Sequence, residues 1–382
     1  MPLRCAVVVP SFDHARFVGA ALDSALAQTR PPDRIVVVDD GSRDGTPDVV
    51  AGYRERGVEL HVQANAGAHA ALNRGVALAA RDCEVIALLN SDDVWEAGRL
   101  ERCLARLAED PQAGVVCSAL TVVDDDGKPL DPDAPRRRWF DVAWSLGAGG
   151  DLSLVEWLGM VNFPATTSNV VARAADLLAR PFRPYRYCHD YAFLLESALR
   201  GRLAVVPEPL LRYRVHAANT MVMDPAPLVR ELLRLQIDLY RALAPELAGD
   251  GALRAGLAAF ARASFDNASS LHAGLFQLVA AHALADWTEE RAAQALAGLE
   301  GAGLPELREP PNARLQKEDL RAGRAVLRSE LLERNARLAE AARELERLRR
   351  HAAGSRWLRL GAALGLGSAR RLLERAAGEA AP

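Results

Sequence analysis

Apolar residues along the first 125 positions alternate between short continuous runs and helix-spaced patterns. Cys5–Val9, Arg34–Val38, Val58–Val62, Glu84–Leu89 and Val115–Val123 read as strands. Between them, Phe17–Ala27, Ala68–Ala80 and Ala97–Ala108 read as helices; in the first, Phe17, Ala21, Leu22, Ala25 and Leu26 share one side. A further helix is expected from Thr46, which reads as its cap, with Pro47 at the first helical position. Strands that alternate with helices predict an α/β fold with a mainly parallel central sheet.

Beyond residue 123 the pattern weakens. Asp, Gly and Pro recur from Asp124 to Gly150, which reads as a loop or insertion. Thr166–Ala172 reads as a strand, Asp190–Arg200 as a helix, and Leu203–Val206 and Leu210–Val215 as two short strands. From Pro227 to about Glu300 the chain is alanine-rich and helical, and Gly303–Asn312, with three prolines, is a linker. Leu315–Leu348 is highly charged with apolar residues at seven-residue spacing: Leu331, Leu338 and Leu345 in one series, Leu320, Leu327, Ala341 and Leu348 in the other, which Arg334 interrupts. That spacing predicts a short coiled coil or a long exposed helix. The expected organisation is a catalytic unit at 1–225, a helical region at 226–302, a linker at 303–312, a charged helix or coiled coil at 313–350 and a basic amphipathic tail at 351–382.

Composition narrows the class. Half of the 382 residues are hydrophobic and a quarter charged, which permits a sizeable core and excludes global disorder. The net charge of −3 gives no basic excess for nucleic acid. Residues 313–382 hold 16 Arg and Lys against 9 Asp and Glu, a net of +7, so the first 312 carry −10. A basic tail that contains Trp357, Leu358, Leu360, Leu364 and Leu366 suits an anionic lipid surface, and the leucine series suits self-association. The five cysteines, Cys5, Cys83, Cys103, Cys117 and Cys188, form no CxxC, so reduced thiols are expected. No signal peptide and no membrane-length apolar run is read, so the expected location is cytoplasmic, with peripheral contact on the inner face of the cell membrane as an extension.

In an open α/β sheet, ligands bind outside the carboxyl ends of the strands. The polar groups of this chain fall at those ends: Pro10-Ser11-Phe12-Asp13, Asp39-Asp40-Gly41-Ser42, Asn65-Ala66-Gly67 and Asn90-Ser91-Asp92-Asp93. Adjacent carboxylates at a strand end can hold a hard divalent cation, although Asp92-Asp93 alone also reads as a turn ahead of a helix. No GxGxxG or GxxxxGK[ST] occurs there, which argues against a dinucleotide enzyme or a P-loop kinase.

Together these segments, with Asn73-Arg74-Gly75, His189-Asp190, Pro207-Glu-Pro-Leu210 and Tyr213-Arg-Val-His216, make residues 3–220 resemble family 2 glycosyltransferases of the GT-A fold. The resemblance implies an inverting enzyme that uses a UDP-, GDP- or dTDP-linked sugar, a divalent metal (Mg²⁺ or Mn²⁺) and a glycan or lipid-linked acceptor in surface polysaccharide or lipopolysaccharide synthesis. It implies that Pro10, Ser11 and Asp40 hold the nucleoside, that Arg74 helps with the phosphates, and that Asp92 and Asp93 hold the metal and diphosphate. His216 is implied near the metal, and Asp190 as the general base. Departures from the family pattern are Phe12 and Asp13 for Tyr-Asn, Asn90 for an Asp, and His189 for a Glu. One base on the attacking face suffices for inversion, because an alcohol needs only its proton removed as the bond forms. Transfer to a polyprenyl phosphate and a non-catalytic coiled-coil scaffold with a relic transferase domain are the alternatives.

Overall fold

The computed structural model describes residues 3–216, 225–247 and 249–266. Its strands are β1 (Cys5–Ser11), β2 (Arg34–Asp39), β3 (Val58–Val62), β4 (Val85–Leu88), β5 (Val94–Trp95), β6 (Val115–Val123), β7 (Val171–Arg173) and β8 (Leu203–Arg214). Its helices are α1 (Val18–Leu26), α2 (Thr46–Ala51), α3 (Ala68–Ala79), α4 (Arg99–Glu109), α5 (Pro135–Ala148), α6 (Leu154–Met160), α7 (Ala174–Ala179), α8 (His189–Leu199), α9 (Pro225–Leu247) and α10 (Gly251–Asp266).

The strands form one sheet in the order β3-β2-β1-β4-β7-β6-β8-β5. β1 runs parallel to β2 and β4, β2 to β3, and β6 to β8. β7 is antiparallel to both its neighbours, and β5 to β8. The expected mainly parallel α/β sheet of the GT-A class is therefore present. Side chains on a strand alternate between faces, and the buried runs obey that period. Val7, Val9, Ile35, Val37, Val85 and Ala87 join Leu22, Leu100 and Leu107 of α1 and α4 in one core. Ala6, Val8, Val36, Val38, Ile86 and Leu88 join Leu72, Val76 and Leu194 of α3 and α8 in the other. Leu235, Leu239, Leu243, Leu253, Leu257 and Phe260 of α9 and α10 belong to this second core. At Gly75 of α3 the helix approaches β1 so closely that a Cβ would stand 2.3 Å from Val8 Cγ1.

Several elements differ from the sequence expectation. Residues 124–150 contain α5, whose Phe140, Ala143 and Gly147 are buried at helical spacing. Gly147 reads as a loop residue, yet it is there for contact: a Cβ would lie 2.0 Å from the Trp157 ring. Thr166–Asn169 is not strand. Thr166 accepts from the Ser168 amide and a 3₁₀ turn follows, because short hydroxyl side chains offer the backbone a local partner. Leu203–Arg214 is one strand across Pro207 and Pro209, with the irregularity absorbed as register shifts beside Ser118, Ala119 and Leu120 of β6. Thr46 is not the cap of α2. That position is Gly45, at φ 87°, and the Thr46 hydroxyl donates to Asp44 instead. α6, which the sequence reading passed over, opens with a capping box between Ser153 and Glu156. The linker, coiled-coil and tail expectations lie outside the described residues.

Candidate active site

Parallel pairing brings the carboxyl ends of β1, β2, β3 and β4 to one rim, with Ser11 in register with Asp39 and Asp39 with Val62. Asp39 is fully buried and holds the rim together. It accepts from the Ser11 hydroxyl at 2.9 Å, the Ser42 hydroxyl at 2.6 Å, and the amides of Gly41 and Ser42. Asp40 turns the other way. Its carboxylate accepts from Gln63 Nε2 at 2.7 Å, the Ala66 amide at 2.9 Å and the Gly67 amide at 2.8 Å, which fixes the loop that starts α3. Gly67 stands at φ 91°, in the region that favours glycine. Arg74 is exposed on α3 and donates to the Val62 carbonyl and to Gln63 Oε1. Pro10 and Ser11 are buried at the end of β1. Four of the residues expected around a nucleoside and its phosphates thus share this corner, and three of them carry its internal hydrogen bonds.

Asp92 and His216 meet at the neighbouring part of the rim, with His216 Nε2 3.1 Å from Asp92 Oδ2. His14, four residues beyond Pro10, joins them. One ligand atom each from His14, Asp92 and His216 lies within 4.8 Å of the others. The His14 ring is braced by Ser91 Oγ at 2.8 Å from Nδ1 and by edge contacts with Phe17 and His216. Phe17 carries the His216 ring at 4.8 Å and the Arg214 guanidinium at 5.1 Å. Burial alone would raise the Asp92 pKa, but the His216 hydrogen bond and the charges of His14 and His216 outweigh it and hold the carboxyl low.

Asp93 stands beside this group with its carboxylate turned inward. Oδ2 accepts from the Ser168 hydroxyl at 2.6 Å and the Thr166 hydroxyl at 3.2 Å, and Oδ1 accepts from the Arg214 amide at 2.9 Å. Burial, then the adjacent Asp92 charge, push its pKa up. Arg214 Nε in turn donates to the Asp92 carbonyl at 2.8 Å. Asn90 is tied off in the same way, its side-chain amide on Thr166 Oγ1 at 3.0 Å.

Asp190 lies in the first turn of α8, 6% exposed, and accepts from the Tyr191 amide at 2.6 Å. Burial raises its pKa, against the opposing charge of His189. His189 Nε2 is 3.1 Å from Thr167 Oγ1, and its Nδ1 has no partner among the described residues. The segment 166–168 therefore touches both parts of the site. Thr166 and Ser168 reach Asp93, and Thr167 reaches His189.

Sequence reasoning missed His14 and the 166–168 hydroxyls. His14 had a readable signal, because it follows the end of the first strand within the same rim segment. The hydroxyls had none, since they sit in what reads as a strand. Arg136, Arg137 and Arg138, in the stretch read as a loop or insertion, lie on α5, where Phe140 packs its ring 5.4 Å from Tyr213.

In sequence the chain is similar to known glycosyltransferases. A family model described as Glycosyl transferase family 2 matches residues 6–146. A putative teichuronic acid biosynthesis glycosyltransferase, TuaG of Bacillus subtilis (strain 168), is 30% identical over 188 residues, which cover 47% of this chain and 73% of that one. An uncharacterized glycosyltransferase of Nostoc sp. is 30% identical over 224 residues, covering 57% of this chain and 66% of the relative, just under two-thirds of its length. Among solved structures, residues 1–349 of TarS from S. aureus in complex with UDP-GlcNAc align with a TM-score of 0.46 and 17% identity, over 69% of this chain and 82% of that one. The mannosyltransferase PcManGT of Pyrobaculum calidifontis, in complex with GDP-Man and Mn²⁺, aligns with a TM-score of 0.44 and 20% identity, over 79% and 86%.

Proposed function

The chain belongs to glycosyltransferase family 2, and from that premise we propose that it transfers a sugar, with inversion, from a nucleoside-diphosphate donor to a hydroxyl of a surface-polysaccharide acceptor. The observation that carries the reading is a His-Asp-His group and a buried carboxylate at a helix N-terminus whose chain neighbours, Asp93 and His189, are bonded by one segment, Thr166-Thr167-Ser168. The polysaccharide class takes support from the relation to TuaG.

His14, Asp92 and His216 fit a divalent cation, since their three ligand atoms already converge within 4.8 Å and Asp92 is held ionised. Two imidazoles and one carboxylate suit a first-row transition ion such as Mn²⁺ better than Mg²⁺, which favours all-oxygen shells. A cation bound there supplies charge stabilisation to the departing nucleoside diphosphate. The chain's own residues do the rest. The Asp40 loop shapes the nucleoside corner, and Asp93 fixes the backbone that presents Asp92. Asp190 takes the acceptor hydroxyl proton at its carboxylate as the new glycosidic oxygen–carbon bond forms. Such a base contributes roughly 10²–10⁴-fold.

The test is a screen of UDP-, GDP- and dTDP-sugars with Mn²⁺ or Mg²⁺, read as release of free nucleoside diphosphate. Turnover of one donor that Asp92→Asn and Asp190→Asn each abolish supports the reading. Donor turnover that survives both substitutions overturns it.

A further inference from the structure

The carboxylate read as the base has little side-chain support of its own. Its hydrogen bonds come from backbone amides, that of Tyr191 at 2.6 Å and its own. Its position therefore follows from the path of the backbone ahead of α8. That path is held from a distant part of the chain. Glu231 of α9 accepts from three consecutive amides: Arg186 at 2.7 Å on Oε2, and Tyr187 at 2.5 Å and Cys188 at 2.7 Å on Oε1. Cys188, the residue before α8, makes no side-chain capping bond, and its own amide is taken by Glu231. A second tie lies just upstream, where the buried Tyr185 hydroxyl donates to Asp238 of α9 at 2.7 Å. Three amides on one carboxylate define both a position and an orientation for residues 186–188. Asp190 follows two residues later.

We propose that Glu231 is a positioning residue for the transfer reaction: α9 clamps the segment 186–188 and thereby sets where the Asp190 carboxylate meets the acceptor hydroxyl. The helical region is then part of the active site, and the inference rests on Asp190 being the base. Charge gives the clamp a second effect. The groups that face Asp190 are His189 and Tyr191 on α8, Cys188 ahead of it, Cys117 on β6 and Glu231 on α9. The negative charge of Glu231 adds to burial in raising the Asp190 pKa.

Glu231→Gln is the variant of choice. It keeps an acceptor oxygen for Tyr187 and Cys188, and it sets an amide nitrogen against the Arg186 N–H. Glu246→Gln serves as the control. It removes another polar link to α9, the pair with Arg200 just past the end of α8 at 2.7 Å, without touching the segment 186–188. Both are made in the full chain beside Asp190→Asn. Nucleoside diphosphate release is followed with the best donor of the UDP-, GDP- and dTDP-sugar panel in Mn²⁺. The Asp190 titration is followed by carbon NMR, and the 186–188 amides by hydrogen exchange. Glu231→Gln should lower kcat at least about tenfold, as small misplacements of a base do. It should also lower the Asp190 midpoint and speed exchange at residues 186–188, while Glu246→Gln changes none of the three. An unchanged Asp190 midpoint and unchanged exchange in Glu231→Gln would overturn the proposal, as would equal effects in both variants. If Asp190→Asn turns over donor as fast as the parent, the base assignment itself fails, and that result does not depend on Glu231.

Discussion

Asp92 and His216 are 124 residues apart in the chain, yet the His216 Nε2 and Asp92 Oδ2 atoms stand 3.1 Å apart. Each arrives by a different route. Asp92 is delivered by the end of β4 and the turn after it, and His216 by the end of β8. Arg214, two residues before His216, bonds the Asp92 carbonyl and the Asp93 carboxylate, so the two strands are fastened at the point where Asp92 and His216 meet.

Removal of either member should therefore be felt as lost metal affinity. Asp92→Asn or His216→Ala should weaken Mn²⁺ binding by no less than the 10–100-fold that loss of a mere supporting partner costs. His14→Ala should weaken it too, because its ring offers the third of the converging atoms. Calorimetric titration of Mn²⁺ into the metal-free chain reads all three, and unaltered affinity in all of them would dismiss this group as the metal site.

Asp93 predicts the opposite pattern. Its oxygens are taken by Ser168, Thr166 and the Arg214 amide. Asp93→Ala leaves those buried donors without an acceptor, and one such unsatisfied group costs about 1–3 kcal/mol. Urea unfolding should show a loss of at least about 2 kcal/mol. Asp93→Asn keeps an acceptor oxygen and should bind Mn²⁺ about as well as the parent. A large drop in its Mn²⁺ affinity with unchanged stability would show that Asp93 is a ligand after all.

Most of the half that holds β1 to β4 was legible because its strands are short buried runs with polar residues at their ends. Val7-Val-Val and Ile35-Val-Val-Val announce buried strands, and Asp39, Asp40, Asp92 and Asp93 mark one rim once the strands are parallel. What the pattern hid are features that depend on tertiary partners. α5 buries a glycine against Trp157, and no local signal distinguishes that from a loop. Asp92 and Asp93 look alike in sequence, and only the hydroxyls of Thr166 and Ser168 turn one inward. The link from Glu231 to residues 186–188 joins two segments that nothing in the local pattern pairs.

Gly75 offers a test of the fold itself. An alanine there sets a methyl group 2.3 Å from Val8 Cγ1, in the middle of β1, and 3.4 Å from Val38 Cγ2 of β2. Overpacking of this kind costs typically about 1–3 kcal/mol. That exceeds the gain in helix propensity of ~1 kcal/mol that Gly→Ala brings. Gly75→Ala should therefore lower the midpoint of chemical unfolding, and a rise would mean that α3 does not lie against β1 as described.

With Asp190 as the proposed base, activity and stability should respond to pH with opposite signs. Its folded pKa is raised, chiefly by burial, above the unfolded value of about 3.9. In the proposed role of base it must be ionised, so turnover should fall as pH drops, and the acid limb of kcat should lie higher than a solvated Asp would place it. For stability the sign reverses. A raised carboxyl pKa contributes stability that is fully present below the unfolded pKa and is lost as pH rises through the folded one, so the ionised Asp190 at neutral pH weakens the fold. Asp190→Asn removes that charge from the same space. It should abolish donor turnover and raise the thermal midpoint at pH 7, with the difference shrinking as the pH is lowered. A thermal scan of both proteins across pH 4–8 reads it. A variant less stable than the parent at every pH would mean that the carboxylate supports the fold, and the buried base would lose its energetic signature.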